Sequence, residues 1–175
     1  DETFADQLRV AAGSRPIVLA ASTHSPEEQI LLKASQEVVR AGYPHLLIIA
    51  PRHSDRSQDI ARLMPQAAHR SKNQLPLLGD NHFLADSFGE LSSLVTAADI
   101  VILGGSFAPK GGHNPLEIAA LSTPLITGPS QFKNKVEFDT LQQYGQCITV
   151  KDGAALVKQL TTWLEALRTD GRAIP

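Results

Sequence analysis

The sequence holds one Cys, one Met, one Trp and two Tyr in 175 residues. With only Cys147 available, an internal disulfide framework and a cysteine zinc cluster are excluded, which fits a reducing compartment. The formal net charge of -2 argues against a general nucleic-acid binder, which is usually distinctly basic. No apolar run approaches the ~18 residues needed to cross a bilayer, and no signal peptide is evident. Three motifs are missing as well. There is no G-x-G-x-x-G after the first apolar run, no G-x-x-x-x-G-K-[ST], and no G-x-S-x-G around Ser106, so a dinucleotide fold, a P-loop and a serine hydrolase lack support. His24, His53, His82 and His113 stand in separate loops at spacings that match no metal-ligand pattern, and no metal site is expected.

What is present is alternation. An apolar fraction of 42% suits one globular domain. Continuous apolar runs at Pro16–Ala21, His45–Ala50, Asp99–Leu103, Pro124–Thr127 and Gln146–Val150 read as buried strands, with a further short strand expected at Leu75–Leu78. Between them fall helical patterns at Glu27–Ala41, Asp55–Met64, Asp86–Ala98, Lys135–Tyr144 and Gly153–Leu167, with Gln66–Asn73 reading as a short strand and turn. Ile30, Leu31, Ala34, Val38 and Ala41 form the apolar face of the first of these, which Ser25 is expected to cap. Asp86 is expected to cap a helix that contains Gly89, at a cost of about 1 kcal/mol relative to Ala. This order predicts an α/β fold, a doubly wound, Rossmann-like parallel sheet with helices on both faces. Ligands bind such sheets beyond the carboxyl ends of the strands. Polar residues cluster there at Ser22–His24, Pro51–His53, Gly79–Asp80 and Gly104–Asn114, which favours one composite crevice.

The sharpest signal is Val101–Gly128, read as strand, glycine-rich loop, helix and strand. Asn114-Pro115 is a strong helix start, because Asn caps free N–H groups and Pro suits the first helical position. Two Gly pairs flank Lys110, and a helix N-terminus welcomes an anion, so Lys110, Gly111, Gly112, His113 and Asn114 suit one phosphate group. A tight turn without a ligand is the competing reading. Glu117, in the first helical turn, either reaches back to the cap or accepts hydrogen bonds from two ribose hydroxyls. Arg52 is either a phosphate or carboxylate partner or a solvated surface residue.

In order, Ser22-Thr23-His24 with Glu27-Glu28, Pro51-Arg52-His53, Gly79-Asp80 leading to Gly89-Glu90, and Gly104-Gly105-Ser106 leading to Gly111-Gly112-His113-Asn114-Pro115-Leu116-Glu117 closely resemble the carboxyl-terminal half of the transferases of 3-deoxy-D-manno-octulosonic acid (Kdo) in lipopolysaccharide synthesis. The resemblance spans residues 16–164, with Phe88 a departure from the Met expected there. It implies the C-terminal half of a GT-B glycosyltransferase, acting without cofactor or metal. The expected division is 1–15 as linker and helix from an upstream domain, 16–168 as donor-binding domain and 169–175 as tail. The chain opens at Asp1 without Met and is expected to be a piece of a longer protein. CMP-Kdo is the implied donor. Arg52, Lys110, Gly111, Gly112, His113, Asn114, Ser22, Thr23 and His24 would meet its phosphate or Kdo, Glu117 its ribose, and Pro51, His53, Phe88, Gly89 and Glu90 its cytosine. The general base, the lipid A precursor and membrane contact would belong to the other domain, at the cytoplasmic face of the bacterial inner membrane. Another GT-B enzyme using a UDP-sugar, an epimerase, and a stand-alone nucleotide-binding module are the rivals.

Overall fold

A computed structural model describes residues 2–171. The elements run α1 (Glu2–Ala12), β1 (Ile17–Thr23), α2 (Glu27–Arg40), β2 (Leu46–Pro51), α3 (Ser57–Leu63), β3 (Ala68–His69), β4 (His82–Leu84), α4 (Leu91–Ala97), β5 (Ile100–Leu103), α5 (Leu116–Ala119), β6 (Leu125–Thr127), α6 (Lys135–Gln143), β7 (Cys147–Thr149) and α7 (Gly153–Asp170). Every pairing is parallel, in the order β3-β4-β2-β1-β5-β6-β7.

Because side chains alternate along a strand, each continuous apolar run feeds two cores. Ile17, Leu19, Leu46, Ile48, Val101 and Leu103 face α1, α4 and α6, meeting Phe4, Leu8, Leu94 and Phe138. Val18, Ala20, Leu47, Ile49, Ile100 and Ile102 face α2, α3 and α7, meeting Leu31, Val38, Ile60, Leu156 and Trp163. Cys147 is buried on β7, and burial pushes its thiol up to about 12, which makes it an inert core residue.

The structure corrects several expectations. Phe4 and Leu8 are buried in the first core and α1 packs on α4, so this helix is part of the domain and not a linker. The expected tail begins inside α7; residues 172–175 and Asp1 lie outside the described residues. Leu75–Leu78 is not a strand. Leu77 and Leu78 are exposed, and the ladder beside β2 is made instead by His82-Phe83-Leu84. Gly79-Asp80 therefore precedes β4 at the amino edge of the sheet, away from the ligand edge, where the Asp80 carbonyl accepts from Arg15. Ser25 does not cap α2, which starts after Pro26 with no side-chain cap. Ile30 is half-buried and Ala41 exposed, so the apolar face of α2 is narrower than its pattern suggested.

Candidate functional site

From β1 the chain turns toward β2, and from β5 toward β6, on opposite sides of the sheet. The loops following β1 and β5 thus bound a crevice at the carboxyl edge, the position where doubly wound sheets take ligands. A bulge at Ala21–Thr23, with Ser22 at φ +56, ends β1 there.

At the base of this region lies a carboxylate that the sequence motif includes without a role. Glu27 is fully buried. Its Oε2 accepts from the backbone N–H of His24 and Gly105, both at 2.8 Å. Its Oε1 accepts from Ser106 at 3.0 Å, Phe107 at 2.8 Å and Ala108 at 3.1 Å. Consecutive N–H groups curled around an anion form a nest. Here the anion is internal, so the first half of the glycine-rich loop has no donors left for a ligand. Neighbouring Glu28, also buried, accepts from Thr23 Oγ1 at 2.8 Å and is gripped by Arg56 through bonds of 2.7 and 3.0 Å. Burial alone would raise the Glu28 carboxyl, yet the bonds from Arg56 and Thr23 hold it below its ordinary value. Two adjacent carboxylates at the start of α2 therefore brace the crevice, one holding the β5 loop and the other the β2 loop.

Above this brace three histidines converge, contrary to the expectation that each stands alone. His24 Nε2 lies 2.8 Å from His113 Nε2, and the His24 and His53 rings meet edge to face at 5.6 Å. They come from residues far apart in sequence because β1 lies between β2 and β5. Burial lowers the pKa of both His24 and His113 against the pull of Glu27, with His53, Lys110 and Arg56 lowering His24 further and His24, Arg52 and Lys133 lowering His113. His82 is elsewhere, half-buried at the opening of β4, with its pKa lowered by burial. Among the described residues no group of three or more His, Cys, Asp or Glu side chains is arranged to hold a metal ion.

The second half of the loop differs from its reading as a helix-dipole site. α5 is a single turn, Leu116–Ala119, too short for a macrodipole to build up. Asn114 does accept from the Leu116 N–H through its side chain, at 3.0 Å. The N–H of Gly111 is given to Ser130 Oγ at 3.0 Å and that of Gly112 to the Gly105 carbonyl at 2.8 Å, so neither is offered to a ligand. These glycines sit at φ +89 and +71, and a Cβ there would strike the Lys133 and Phe132 side chains or the Phe138 ring. The close neighbour they admit is the chain itself. The N–H groups of His113 and Asn114, by contrast, have no hydrogen-bond acceptor among the described residues. Lys110, Arg52 and Glu117 are exposed. Glu117 forms no side-chain hydrogen bond among the described residues, so it does not close a capping box.

The segment after β4 also departs from expectation. It is an irregular turn, not a helix: Asp86 is buried and accepts from Ser71 N and Oγ, and Gly89 lies outside α4 at φ +80. Glu90 receives three bonds of 2.6 to 3.0 Å from Arg70 and one from Ser87, and these bonds keep its carboxyl low. Arg70 in turn stacks over Phe4 at 4.1 Å. Phe88, at the tip, is 72% exposed. Sequence reasoning thus included Glu27 and Glu28 in the motif without their bracing role, and missed Arg56 and Arg70. The available signal was two carboxylates immediately after a strand end, opposite a loop rich in free N–H groups.

The fold and this crevice define the carboxyl-terminal half of a GT-B glycosyltransferase. Other glycosyltransferases of 13–17% identity share the fold alone, with TM-scores of 0.53–0.56. No protein-family model matches the chain. It is 44% identical over 123 residues to a protein named 3-deoxy-D-manno-octulosonic acid transferase from Haemophilus influenzae, covering 67% of this chain and 29% of that protein. The protein of the same name from Rickettsia typhi is 32% identical over 164 residues, 91% of this chain and 35% of its own length. A crystal structure described as the C-terminal CMP-Kdo binding domain of WaaA from Acinetobacter baumannii matches at a TM-score of 0.83 and 28% identity, over 97% of this chain and 93% of that one. The chain belongs to the 3-deoxy-D-manno-octulosonic acid transferase family, as its carboxyl-terminal domain. It spans about a third of the length of these curated relatives.

Proposed function

We propose that the chain is the donor half of an enzyme that moves Kdo from CMP-Kdo to a lipid A precursor, lipid IVA, at the cytoplasmic face of the inner membrane. The observation that carries this reading is the meeting of the STH, PRH and GGHNPLE loops at one switch-point crevice. Arg52 and Lys110 are exposed cations on these loops, the N–H groups of His113 and Asn114 have no acceptor among the described residues, and Glu117 follows them in sequence as an exposed carboxylate.

In the transfer, an acceptor hydroxyl forms a bond to the anomeric carbon of Kdo as the bond from that carbon to the CMP phosphate oxygen breaks. The electron pair leaves with the phosphate, which gains charge. Arg52, Lys110 and the N–H groups of His113 and Asn114 are the groups suited to hold it, and preorganised donors of this kind stabilise developing charge without a metal. Ser22 and His24 are the further candidates for the Kdo or the phosphate, whereas Thr23 is committed to Glu28 and acts through it. Gly111 and Gly112 shape the loop. Glu117 is suited to two ribose hydroxyls. Pro51, His53, Phe88 and Gly89 would flank the cytosine, with Glu90 fixing that wall through Arg70. The general base, the acceptor and the membrane contact belong to the rest of the enzyme. Among the described residues no helix is long and apolar enough to cross a membrane.

Calorimetric titration with CMP, CMP-sialic acid and UDP tests the reading. CMP and CMP-sialic acid are expected to bind with UDP the weakest. Preference for UDP overturns the assignment to Kdo transfer in favour of a UDP-sugar enzyme, and indifference to all three overturns the donor site itself.

A further inference from the structure

The contact between His24 and His113 is between two Nε2 atoms 2.8 Å apart. One ring nitrogen must donate and the other accept, so a single proton occupies the gap. Two imidazolium rings cannot share this geometry, because both Nε2 atoms would then carry hydrogen. One added proton fits: it goes to the far nitrogen of the donating ring and strengthens the bond between them. The pair is therefore able to present one positive charge and no more.

The surroundings decide when that charge is present. His24 faces Glu27, His53, Lys110 and Arg56, and His113 faces Glu27, Arg52 and Lys133. Glu27 favours the charge but is spent on five N–H donors. The partial burial of both rings disfavours it, as do His53 and the cations. In the absence of an anion the surroundings thus favour the uncharged dyad. An anion seated between Arg52, Lys110 and the dyad reverses that balance, because it screens the cations and attracts the proton. We propose that His24 and His113 meet the phosphate of a nucleoside monophosphate as one dyad carrying one added proton, so that binding draws a proton from solution. This rests on the crevice being the donor site.

The two ideas separate in one experiment on the 175-residue chain. CMP is titrated calorimetrically at pH 7.5 in HEPES and in Tris, whose ionisation heats differ, with cytidine as the phosphate-free control. The dyad requires different apparent enthalpies in the two buffers, equivalent to an uptake above zero and not above one proton, and none with cytidine. By linkage the affinity then falls as pH rises above neutrality, by up to about tenfold per unit. His24→Gln and His113→Gln should each abolish the buffer dependence, while His82→Gln, at the opening of β4 and away from the crevice, retains it. Saturable CMP binding with equal enthalpies in both buffers overturns the dyad and leaves the donor site standing. Buffer dependence that persists in both dyad variants also overturns it, since the proton then goes to CMP or another group. Failure of CMP to bind in either buffer overturns the donor site and the dyad together. If a variant does not fold, the phosphorus-31 shift of CMP bound to the unmutated chain decides: proton uptake with a dianionic phosphate keeps the dyad, and a monoanionic phosphate overturns it.

Discussion

Residues 105–108 and 110–114 are successive parts of one glycine-rich loop, yet they are opposites. In the first part every N–H points at the buried Glu27 carboxylate. In the second, the N–H groups of His113 and Asn114 meet no acceptor among the described residues, and exposed Lys110 and Glu117 stand to either side in the sequence. The first part is an anion nest filled by the protein's own carboxylate, whereas the second keeps two N–H groups without an acceptor among the described residues. Glycine and amide density after a parallel strand thus marks a place where an anion belongs, but does not say whether the protein supplies it. The Glu27 carboxylate pins from beneath the stretch that leads into Lys110.

Breaking the filled nest should have the largest effect. Glu27→Ala strips five N–H donors of their acceptor in a site without solvent, and each buried unsatisfied group costs about 1–3 kcal/mol. A net loss of about 4–5 kcal/mol is expected after relaxation, near the whole stability of a small domain. Urea denaturation of the chain measures it, and a loss below 1 kcal/mol would mean the nest is not structural. Next comes the second brace. Arg56→Ala leaves Glu28 buried without its cation, and removing one member of a buried pair costs about 3 kcal/mol. The sign of its pH dependence follows from the depressed Glu28 carboxyl. Its contribution is fully present above the ordinary carboxylate value of 4.5 and is lost as pH falls through the lower folded value. The difference between wild type and Arg56→Ala in urea should therefore shrink on acidification below that value. A difference that is constant with pH would assign the loss to packing instead.

The same contrast explains what was legible from residues alone. The parallel sheet was readable because β1, β2, β5 and β6 are continuous apolar runs, and both faces of such strands are buried. β4 was not, since His82-Phe83-Leu84 is only three residues and is defined by its ladder to β2, while the more apolar Leu75–Leu78 lies in an irregular segment. Local composition cannot report a partner strand 35 residues away. Convergence of Ser22–His24, Pro51–His53 and Gly104–Asn114 was legible because strand ends of a parallel sheet share one edge. The dyad and the two braces were not, because they depend on β1 lying between β2 and β5, an order no single stretch encodes. No helix dipole builds up behind Asn114, for a plainer reason. The helical pattern after Pro115 lasts one turn before Ser122, at φ +56, ends it.

The smallest expected effect sharpens the open half of the comparison. Glu117 is exposed, makes no side-chain hydrogen bond among the described residues, and sits in a helix of one turn. Its removal should leave folding unchanged within about 0.5 kcal/mol, as for most surface substitutions. If it accepts from two ribose hydroxyls, Glu117→Ala weakens CMP binding by about 1–3 kcal/mol, the range for losing a charged hydrogen-bond partner. Glu117→Gln separates the two contributions of that carboxylate. The amide keeps one acceptor oxygen and loses the charge, so its deficit should fall between wild type and Ala. Calorimetry with CMP and with 2′-deoxy-CMP completes the cycle, because a ligand lacking one hydroxyl should be less sensitive to Glu117→Ala than CMP is. Equal sensitivity to both nucleotides would remove Glu117 from the ribose and return it to the solvated surface, leaving His113, Asn114 and the flanking cations to account for binding.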